Sequence, residues 1–315
     1  MRNATPRARS WVLAAGSVIL VLTGCDKSPT DPNRPASDAL GGRRMSYEKL
    51  AFASNMGGRV SIFIQELDGL AVNKKITDPP VGSGDSEPNF APGNKTIVFV
   101  RWTDGKSELF STNLNAKAAK QLTNFGGTVQ NPVYSPDGAR IAFTLDQDGQ
   151  QDVYVMDANG TNVRQLTNTE ADDFNPTWTP DGNKVVYSTA DYGSFQVGTR
   201  IRSQNIYNGA TGIVLACPDS WCDTPRWSPS GQRIIYLSSP SRYQTPELKL
   251  LDLSTGEHYV LNGTYGGYMG GWKPDGNKFV YVSQHQFYAV ETKPNGLISP
   301  FAPLTGTNLW PTWSR

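Results

Sequence analysis

Residues 131–143 read NPVYSPDGARIAF, and closely similar stretches recur along the chain. They are EPNFAPGNKTIVF at 87–99, NPTWTPDGNKVVY at 175–187, TPRWSPSGQRIIY at 224–236 and GGWKPDGNKFVY at 270–281. These stretches share a turn proline that recurs after 44, 44, 49 and 45 residues. The prolines are Pro92, Pro136, Pro180, Pro229 and Pro274. Self-similarity at this period indicates a repeat architecture and decides the fold of the whole region.

Each repeat has the residue pattern of four short strands. The first strand ends in an aromatic residue, and a Pro-Asp-Gly turn follows, in which proline presets φ and glycine accepts a positive φ. The second strand is a β-branched and aromatic run such as KVVYS at 184–188. The third and fourth resemble DVYVMD at 152–157 and VRQLTN at 163–168. A repeated four-stranded unit of this length is typical of a propeller blade.

The two ends of the repeat region supply the parts of one further blade. The first unit begins at EKLAFAS (48–54) without a first strand, whereas LWPTWSR (309–315) is such a strand. We therefore predict an all-β fold, a six-bladed β-propeller of four-stranded antiparallel blades, with the ring closed by the C-terminal strand completing blade 1. The other blades are predicted to start near Asp85, Thr128, Asp172, Ser220 and Gly266.

The aromatic residues that end the six first strands have an expected structural role. They are Phe90, Tyr134, Trp178, Trp227, Trp272 and Trp313. We expect all six to pack between blades, where a buried aromatic side chain contributes about 1.5–3 kcal/mol.

Residues 1–24 have the pattern of a secretory signal peptide. Arginines precede a short apolar run that ends in LTGC at 22–25 and is too short for a transmembrane helix. LTGC resembles the bacterial lipobox, in which the cysteine is lipidated, and it predicts a membrane anchor at Cys25. An ordinary cleavage site in a soluble secreted protein is the alternative. Residues 25–44, rich in Pro, Ser and Asp, are predicted to be a flexible tether to a propeller at 45–315.

Two further cysteines, Cys217 and Cys222, stand in the stretch CPDSWC. Outside the cytoplasm, a pair five positions apart predicts a disulfide that closes one loop, with two free buried thiols as the alternative. A metal site would need more soft ligands nearby, and the chain has two histidines, His258 and His285.

The repeat, with its aromatic-Ser-Pro-Asp-Gly turn, its Val-Met-Asp strand, its Leu-Thr ending and the closing Pro-Thr-Trp-Ser, is similar to that of the TolB family. The similarity covers nearly all of residues 46–315. It implies a WD40-like β-propeller in a periplasmic protein of the bacterial envelope whose ligand is another envelope protein. TolB-like proteins place a separate α/β domain before the propeller, whereas here a tether and Cys25 precede it. The resemblance thus describes a lipoprotein carrying a TolB-like propeller.

Composition and motifs argue against several classes of function. With 29 basic and 28 acidic residues, the chain has no charge excess that would favour nucleic-acid binding. No G-x-S-x-G, H-E-x-x-H or P-loop motif occurs, nor a G-x-G-x-x-G after a strand. The stretch LDQDGQQD at 145–152 lacks the ligand set of an EF-hand, so we predict a polar turn there.

Polar residues stand directly before the first-strand prolines of four consecutive repeats. They are Glu87, Asn131, Asn175 and Thr224. Carboxylate and amide oxygens are hard ligands that suit calcium, which makes Glu87, Asn131 and Asn175 a candidate metal site at the channel mouth. No other cofactor is expected. The alternative is that these side chains cap strands or bond to the backbone of the neighbouring blade.

Aromatic and charged residues are predicted to surround the same mouth. The loops at 102–104, 191–195 and 242–243 join the segments that lead into the first strands. Such side chains on a rigid scaffold favour protein recognition, and the aromatic ones also suit stacking on sugars. The candidate binding residues are Glu87, Asn131, Asp173, Asn175, Trp221, Tyr268 and Trp310.

The sequence therefore predicts an exported lipoprotein on the periplasmic side of the bacterial envelope, which acts as a non-enzymatic binding platform. Its predicted partners are another envelope protein and, through the lipid anchor, the membrane, with no nucleic acid. A calcium-dependent hydrolase or lyase with the metal in the channel is one alternative. A glycan-binding module is the other.

Overall fold

The structure is a computed structural model of the 315-residue chain. The residues it describes are 48–67, 73–115, 118–190, 198–218, 220–241, 243–261, 267–283, 286–294, 296–300 and 308–313. They all belong to one compact unit, Ser46–Arg315. The predicted signal peptide, lipidated Cys25 and tether lie outside the described residues. Within the described ranges, no helix has the length and apolar character needed to span a membrane.

The described residues form strands that fall into six groups of four. The first group contains β1 (Lys49–Ser54), β2 (Ser61–Glu66), β3 (Asn73–Lys75) and β24 (Asn308–Trp313). The second contains β4 (Ser83–Phe90), β5 (Thr96–Thr103), β6 (Lys106–Asn113) and β7 (Lys120–Gln121). The third contains β8 (Thr128–Tyr134), β9 (Arg140–Gln147), β10 (Gln150–Asp157) and β11 (Arg164–Gln165).

The other three groups repeat this meander. The fourth contains β12 (Asp172–Trp178), β13 (Lys184–Ala190), β14 (Thr199–Asn205) and β15 (Thr211–Cys217). The fifth contains β16 (Trp221–Trp227), β17 (Arg233–Ser239), β18 (Glu247–Asp252) and β19 (His258–Val260). The sixth contains β20 (Gly267–Trp272), β21 (Lys278–Ser283), β22 (Gln286–Glu291) and β23 (Ile298–Pro300).

The first group is assembled from both ends of the repeat region. Strand β24 runs antiparallel to β1, with Trp313 opposite Leu50 and Asn308 opposite Ser54. The second and third groups are joined into one eight-stranded sheet by a parallel pair between Ser107 and Thr128. We use the name first strands for β24, β4, β8, β12, β16 and β20. Each first strand contacts the next, and β20 contacts β24, so the first strands surround a central channel.

The turn after β8 explains the recurrence of Pro-Asp-Gly. Gly138 donates its backbone N–H to the carbonyl of Ser135 at 2.9 Å and has a φ of 72°, which glycine adopts without strain. Gly138 also packs against Pro92 of the preceding turn, so closely that a Cβ would lie 3.1 Å from the proline ring. Equivalent contacts join Pro136 to Gly182, Pro180 to Gly231 and Pro229 to Gly276. We call this chain of turn prolines the turn rim.

The apolar core consists of clusters that lie between consecutive groups of strands. Between the sixth and first groups, for example, Val280, Val282 and Phe287 pack against Leu50 and Phe52. Each first-strand aromatic lies in one of these clusters or packs against it, which confirms their predicted role between blades. These residues are Phe90, Tyr134, Trp178, Trp227, Trp272 and Trp313.

A disulfide joins Cys217 to Cys222. It connects the end of β15 to β16, and so links the fourth group to the fifth. Both cysteines are buried in the cluster that also contains Ile201 and Ile234. A cross-link of this kind stabilises the fold by restricting the unfolded chain.

Candidate binding site in the central channel

Four residues that precede first-strand prolines have a left-handed backbone conformation. Glu87, Asn131, Asn175 and Thr224 have φ values of 51°, 53°, 53° and 53°, which is uncommon for residues other than glycine. Each lies where the register between the first and second strands of its group shifts. A bulge of this kind redirects the backbone and re-aims the side chain. The four residues therefore occupy matching points on neighbouring first strands.

Hydrogen bonds from these bulges link neighbouring groups. The backbone N–H of Asn175 donates to Thr144 Oγ1 at 3.2 Å, and that of Thr224 donates to Ser188 Oγ at 3.1 Å. The side-chain amide of Asn175 also donates to Thr224 Oγ1 at 2.9 Å. Three polar contacts thus fix the position of the fourth and fifth groups around the channel.

Glu87 makes the corresponding link between the second and third groups. The second-strand position that Thr144 occupies in the third group is occupied by Val100 in the second, which has no hydroxyl. The backbone N–H of Asn131 donates instead to Glu87 Oε2 at 2.5 Å. Glu87 therefore bonds to the backbone of the neighbouring group, as the capping alternative predicts.

A cavity of about 340 Å³, which we call the channel cavity, lies where all six first strands converge. Its wall includes the residue before the terminal aromatic of every first strand: Asn89, Val133, Thr177, Arg226, Gly271 and Thr312. Glu87 and Asn131 line its inner end. Pro136, Pro180 and Pro229 of the turn rim line the other end, together with Pro274 of the turn after β20. The cavity has the size of a small-ligand site, for which roughly 300–1,000 Å³ is usual.

Tryptophans hold the wall of the channel cavity rigid. Trp178 Nε1 donates to the carbonyl of Val133 at 3.1 Å, and Trp272 Nε1 donates to the carbonyl of Arg226 at 2.9 Å. The two residues are 3% and 9% exposed. Because their indole rings are buried between groups, these side chains shape the cavity without presenting open faces to it.

Arg226 brings a positive charge into the channel cavity. Its Nη1 donates to the carbonyl of Pro225 at 3.0 Å. Burial lowers the pKa of Arg226 to about 10, while the carboxylates of Glu87 and Asp223 act in the opposite direction. The guanidinium is therefore charged at neutral pH although the side chain is half-buried.

Glu87 and Asp223 carry the acidic groups nearest to this cation. Burial raises the pKa of Glu87 to about 7, and the opposing effects of the Asn131 N–H and of Arg226 are smaller. The neutral and ionised forms of Glu87 are thus both populated near pH 7. Burial also raises the pKa of Asp223, whose carboxylate accepts a hydrogen bond from the Thr224 hydroxyl at 2.8 Å.

A second cavity, of about 320 Å³, lies on the other side of Glu87, between the second and third groups. Its lining includes Trp102, Lys106 and Gln130. Trp102 is 41% exposed, and its indole lies across Gly84, where a Cβ would overlap the ring. This cavity is at the end of the channel where the sequence predicts the binding face.

The structure separates the predicted binding residues from one another. Asp173 is 1% exposed, and its carboxylate accepts hydrogen bonds from Thr189 at 2.6 Å and from Thr169 at 3.2 Å. It is not among the residues that line either cavity. Trp221 is half-buried and donates its indole N–H to Asp223 at 2.8 Å.

Several other predicted residues fall on parts of the chain that the structure does not describe. Tyr268 and Trp310 lie in β20 and β24, but their side chains are outside the described residues. Residues 191–197, Arg242 and His285 also lie outside them.

The predicted calcium ligands are brought together in part. Glu87 and Asn131 line the channel cavity, whereas Asn175 bonds to Thr224 and is not among the lining residues. Within the described ranges, no three His, Cys, Asp or Glu side chains are grouped closely enough to hold a metal ion. Calcium binding in the channel stays a prediction.

Neither Arg226 nor the cavity that it lines is among the features predicted from the sequence. A signal was present, because Arg226 is the residue between proline and tryptophan in TPRWS. The equivalent residue of every other first strand is uncharged: Asn89, Val133, Thr177, Gly271 and Thr312. Comparing this one position across the repeats identifies Arg226 as the charged residue among the six.

Comparison with known proteins agrees with the architecture. The family model of the TolB beta propeller domain matches residues 85–286, more than half of the chain. No curated protein matches the sequence. Among solved structures, TolB from Acinetobacter baumannii has a TM-score of 0.67 and 20% identity, over 84% of this chain and 66% of that chain.

Two other solved structures illustrate how widely the fold is used. A chain in a nidogen/laminin complex has a TM-score of 0.65 and 13% identity, over 85% of this chain and 98% of its own. An oligogalacturonate lyase from Vibrio parahaemolyticus has a TM-score of 0.53 and 13% identity, over 71% and 68%. Since one fold hosts both a protein complex and an enzyme, these likenesses establish the fold alone. The all-β, TolB-like propeller predicted from the repeats is confirmed, and the chain belongs to the TolB beta propeller domain family.

Proposed function

We propose that this chain is a non-enzymatic binding protein that receives an extended segment of a partner protein in the channel cavity. The observation that carries the proposal is the cavity itself, in which Arg226 and Glu87 stand between buried aromatic walls. Concave sites with apolar walls and a few fixed polar groups are the usual form of a ligand site. The six first strands also supply the rigid support that such a site needs.

The partner is proposed to be another protein of the bacterial envelope. The signal-peptide pattern and LTGC support export and anchoring through Cys25. The disulfide between Cys217 and Cys222 supports the same location, because such cross-links persist outside the reducing cytoplasm. Family membership supports the periplasmic side.

The channel cavity favours a peptide segment over a glycan. Recognition of sugars by stacking requires an open aromatic face, whereas Trp178, Trp272 and Trp313 are buried and Trp227 is half-buried. Peptide segments, by contrast, can be held by hydrogen bonds and charge within a narrow apolar cavity.

Photo-crosslinking from the turn rim tests the proposed function. A photo-reactive amino acid at the exposed Ser230 should capture the partner in intact envelopes, whereas one at the exposed Ile213 of the outer strand β15 should not. Thr312→Trp fills the channel cavity from β24 and should abolish capture from Ser230, while Ile213→Trp should preserve it. Capture that persists in the Thr312→Trp protein would count against the channel cavity as the binding site.

We expect calcium to leave the thermal unfolding midpoint of the full chain unchanged. Calcium takes six to eight oxygen ligands, whereas Glu87 is engaged by the Asn131 N–H and shares its cavity with the cation of Arg226. The midpoint is measured with added calcium and with a chelator, because a ligand of the folded state must raise it. A calcium-dependent rise that Glu87→Gln removes would instead support the calcium-dependent hydrolase or lyase.

A further inference from the structure

We propose that the channel cavity recognises a free carboxylate, the C-terminal carboxylate of the bound segment, through the guanidinium of Arg226. The inference rests on the proposed function and names the chemistry by which that site selects its ligand.

Arg226 offers more hydrogen-bond donors than the protein uses. A guanidinium carries five N–H donors in a planar fork. Within the part of the chain that the structure describes, its hydrogen bond is the one from Nη1 to Pro225, which leaves four donors for a ligand. The ion pairs there do not involve Arg226. A fork of this kind matches the two oxygens of a carboxylate.

Arg101, in contrast to Arg226, is an arginine whose guanidinium is paired within the protein. Its Nε and Nη2 donate to the two carboxylate oxygens of Asp85 at 2.7 and 2.9 Å. Its guanidinium also lies 4.7 Å from the centre of the Phe110 ring. Arg226 is half-buried, and although the charges of Glu87 and Asp223 act on it, neither carboxylate forms an ion pair with it among the described residues. Its planar fork is therefore left to bind a carboxylate of the ligand.

The surroundings of Arg226 are compatible with an anion. Glu87 populates its neutral carboxyl near pH 7, and that O–H can donate to a carboxylate instead of repelling it. Trp227, the next residue in β16, has a buried indole N–H that finds no hydrogen-bond partner among the described residues. Both residues line the channel cavity together with Arg226.

The position of the cavity favours the end of a chain over its middle. A segment that enters past the turn rim meets Glu87 and Asn131, which line the inner end and are bonded to each other. A volume of about 340 Å³ admits only a few residues. A C-terminal carboxylate can reach Arg226 end-on, whereas an acidic side chain would require the chain to enter and leave through the same opening.

Two matched peptide pools test the inference. One contains N-acetyl tetrapeptides with free C-terminal carboxylates, and the other contains the same sequences as C-terminal amides. After affinity selection on the full chain, mass spectrometry should recover acids with at least tenfold enrichment over their amides. Arg226→Gln should remove this preference, and Arg226→Lys should retain part of it. The exposed Arg200→Gln in β14 should preserve it.

The outcomes separate the inference from the function on which it rests. Equal recovery of acids and amides by the parent protein would overturn the carboxylate site and leave peptide binding in place. Recovery of neither pool would overturn the proposed function together with the inference. Selection of a uronate oligosaccharide in place of the peptides would assign the carboxylate to a glycan, and would also overturn the inference as stated. Thermal unfolding of each variant establishes that a lost preference is not a loss of fold.

Discussion

Replacement of Arg101 by methionine is expected to lower the free energy of unfolding by about 3–5 kcal/mol. Asp85 is fully buried, and Arg101 binds both of its carboxylate oxygens. Methionine retains an apolar stem that can pack on Phe110, but it leaves the carboxylate of Asp85 enclosed without a counter-charge. Urea unfolding of parent and variant under the same conditions measures the loss.

Two further variants determine whether the ion pair is the cause. Asp85→Leu combined with Arg101→Met should recover most of the loss, because apolar replacement of a whole buried pair is often neutral or stabilising. Arg59→Met removes a cation from the exposed Asp78, with an N–O distance of 3.0 Å, and should cost far less than Arg101→Met because solvent screens an exposed pair. If Arg101→Met cost no more than Arg59→Met, the buried pair would have no special role in stability.

The fold could be predicted because the same local sequence pattern recurs in each repeat. The aromatic, the Pro-Asp-Gly turn and the β-branched second strand recur together, and each specifies contacts with the next group that the structure contains. The pairing of β24 with β1 followed from the same logic, since LWPTW supplies the strand that the first unit lacks. Local patterns that recur at a fixed period constrain the whole fold strongly.

The candidate site could be predicted only in part, because it depends on departures from the repeat. Glu87 was identified by its place before a proline, but its bond to Asn131 depends on Val100, a residue of another strand. The sequence pattern predicts Asp173 as a binding residue, yet it is buried and its carboxylate accepts hydrogen bonds from Thr189 and Thr169. Such contacts depend on which side chains the register brings together, and no spacing in the sequence contains that information.

A different kind of departure explains why Arg226 was missed. Each first strand contributes the residue before its terminal aromatic to the wall of the channel cavity. That position is occupied by residues as different as Val133, Gly271 and Arg226. Within a single repeat, an arginine in a strand suggests a solvated face. Only the convergence of six strands turns it into an enclosed charge.

The free energy of unfolding of Glu87→Gln, relative to that of the parent, is expected to rise by about 3 kcal/mol between pH 4.5 and pH 8. The pKa of Glu87 is about 7 in the folded state, against an ordinary value of 4.5. Between these values the folded protein binds a proton that the unfolded chain has released, so the parent loses stability as the pH rises. At about 1.4 kcal/mol per pKa unit, the difference between these two pKa values gives the expected change in the free energy of unfolding. Glutamine does not titrate, and it can still accept the Asn131 N–H.

Urea unfolding at a series of pH values measures this difference, with the exposed Glu170→Gln as the matched control. Arg226, with a pKa of about 10, stays charged throughout this pH range, and Asp223 is present in both proteins. Parallel stability curves for Glu87→Gln and the parent would contradict the raised pKa. A difference in the free energy of unfolding that grows with pH would mean that Glu87 destabilises the fold at neutral pH. Thr144 and Ser188 make the equivalent links between other groups without any charge. A carboxyl that performs this link at a cost in stability is therefore better explained by a role in the binding site than by a role in the scaffold.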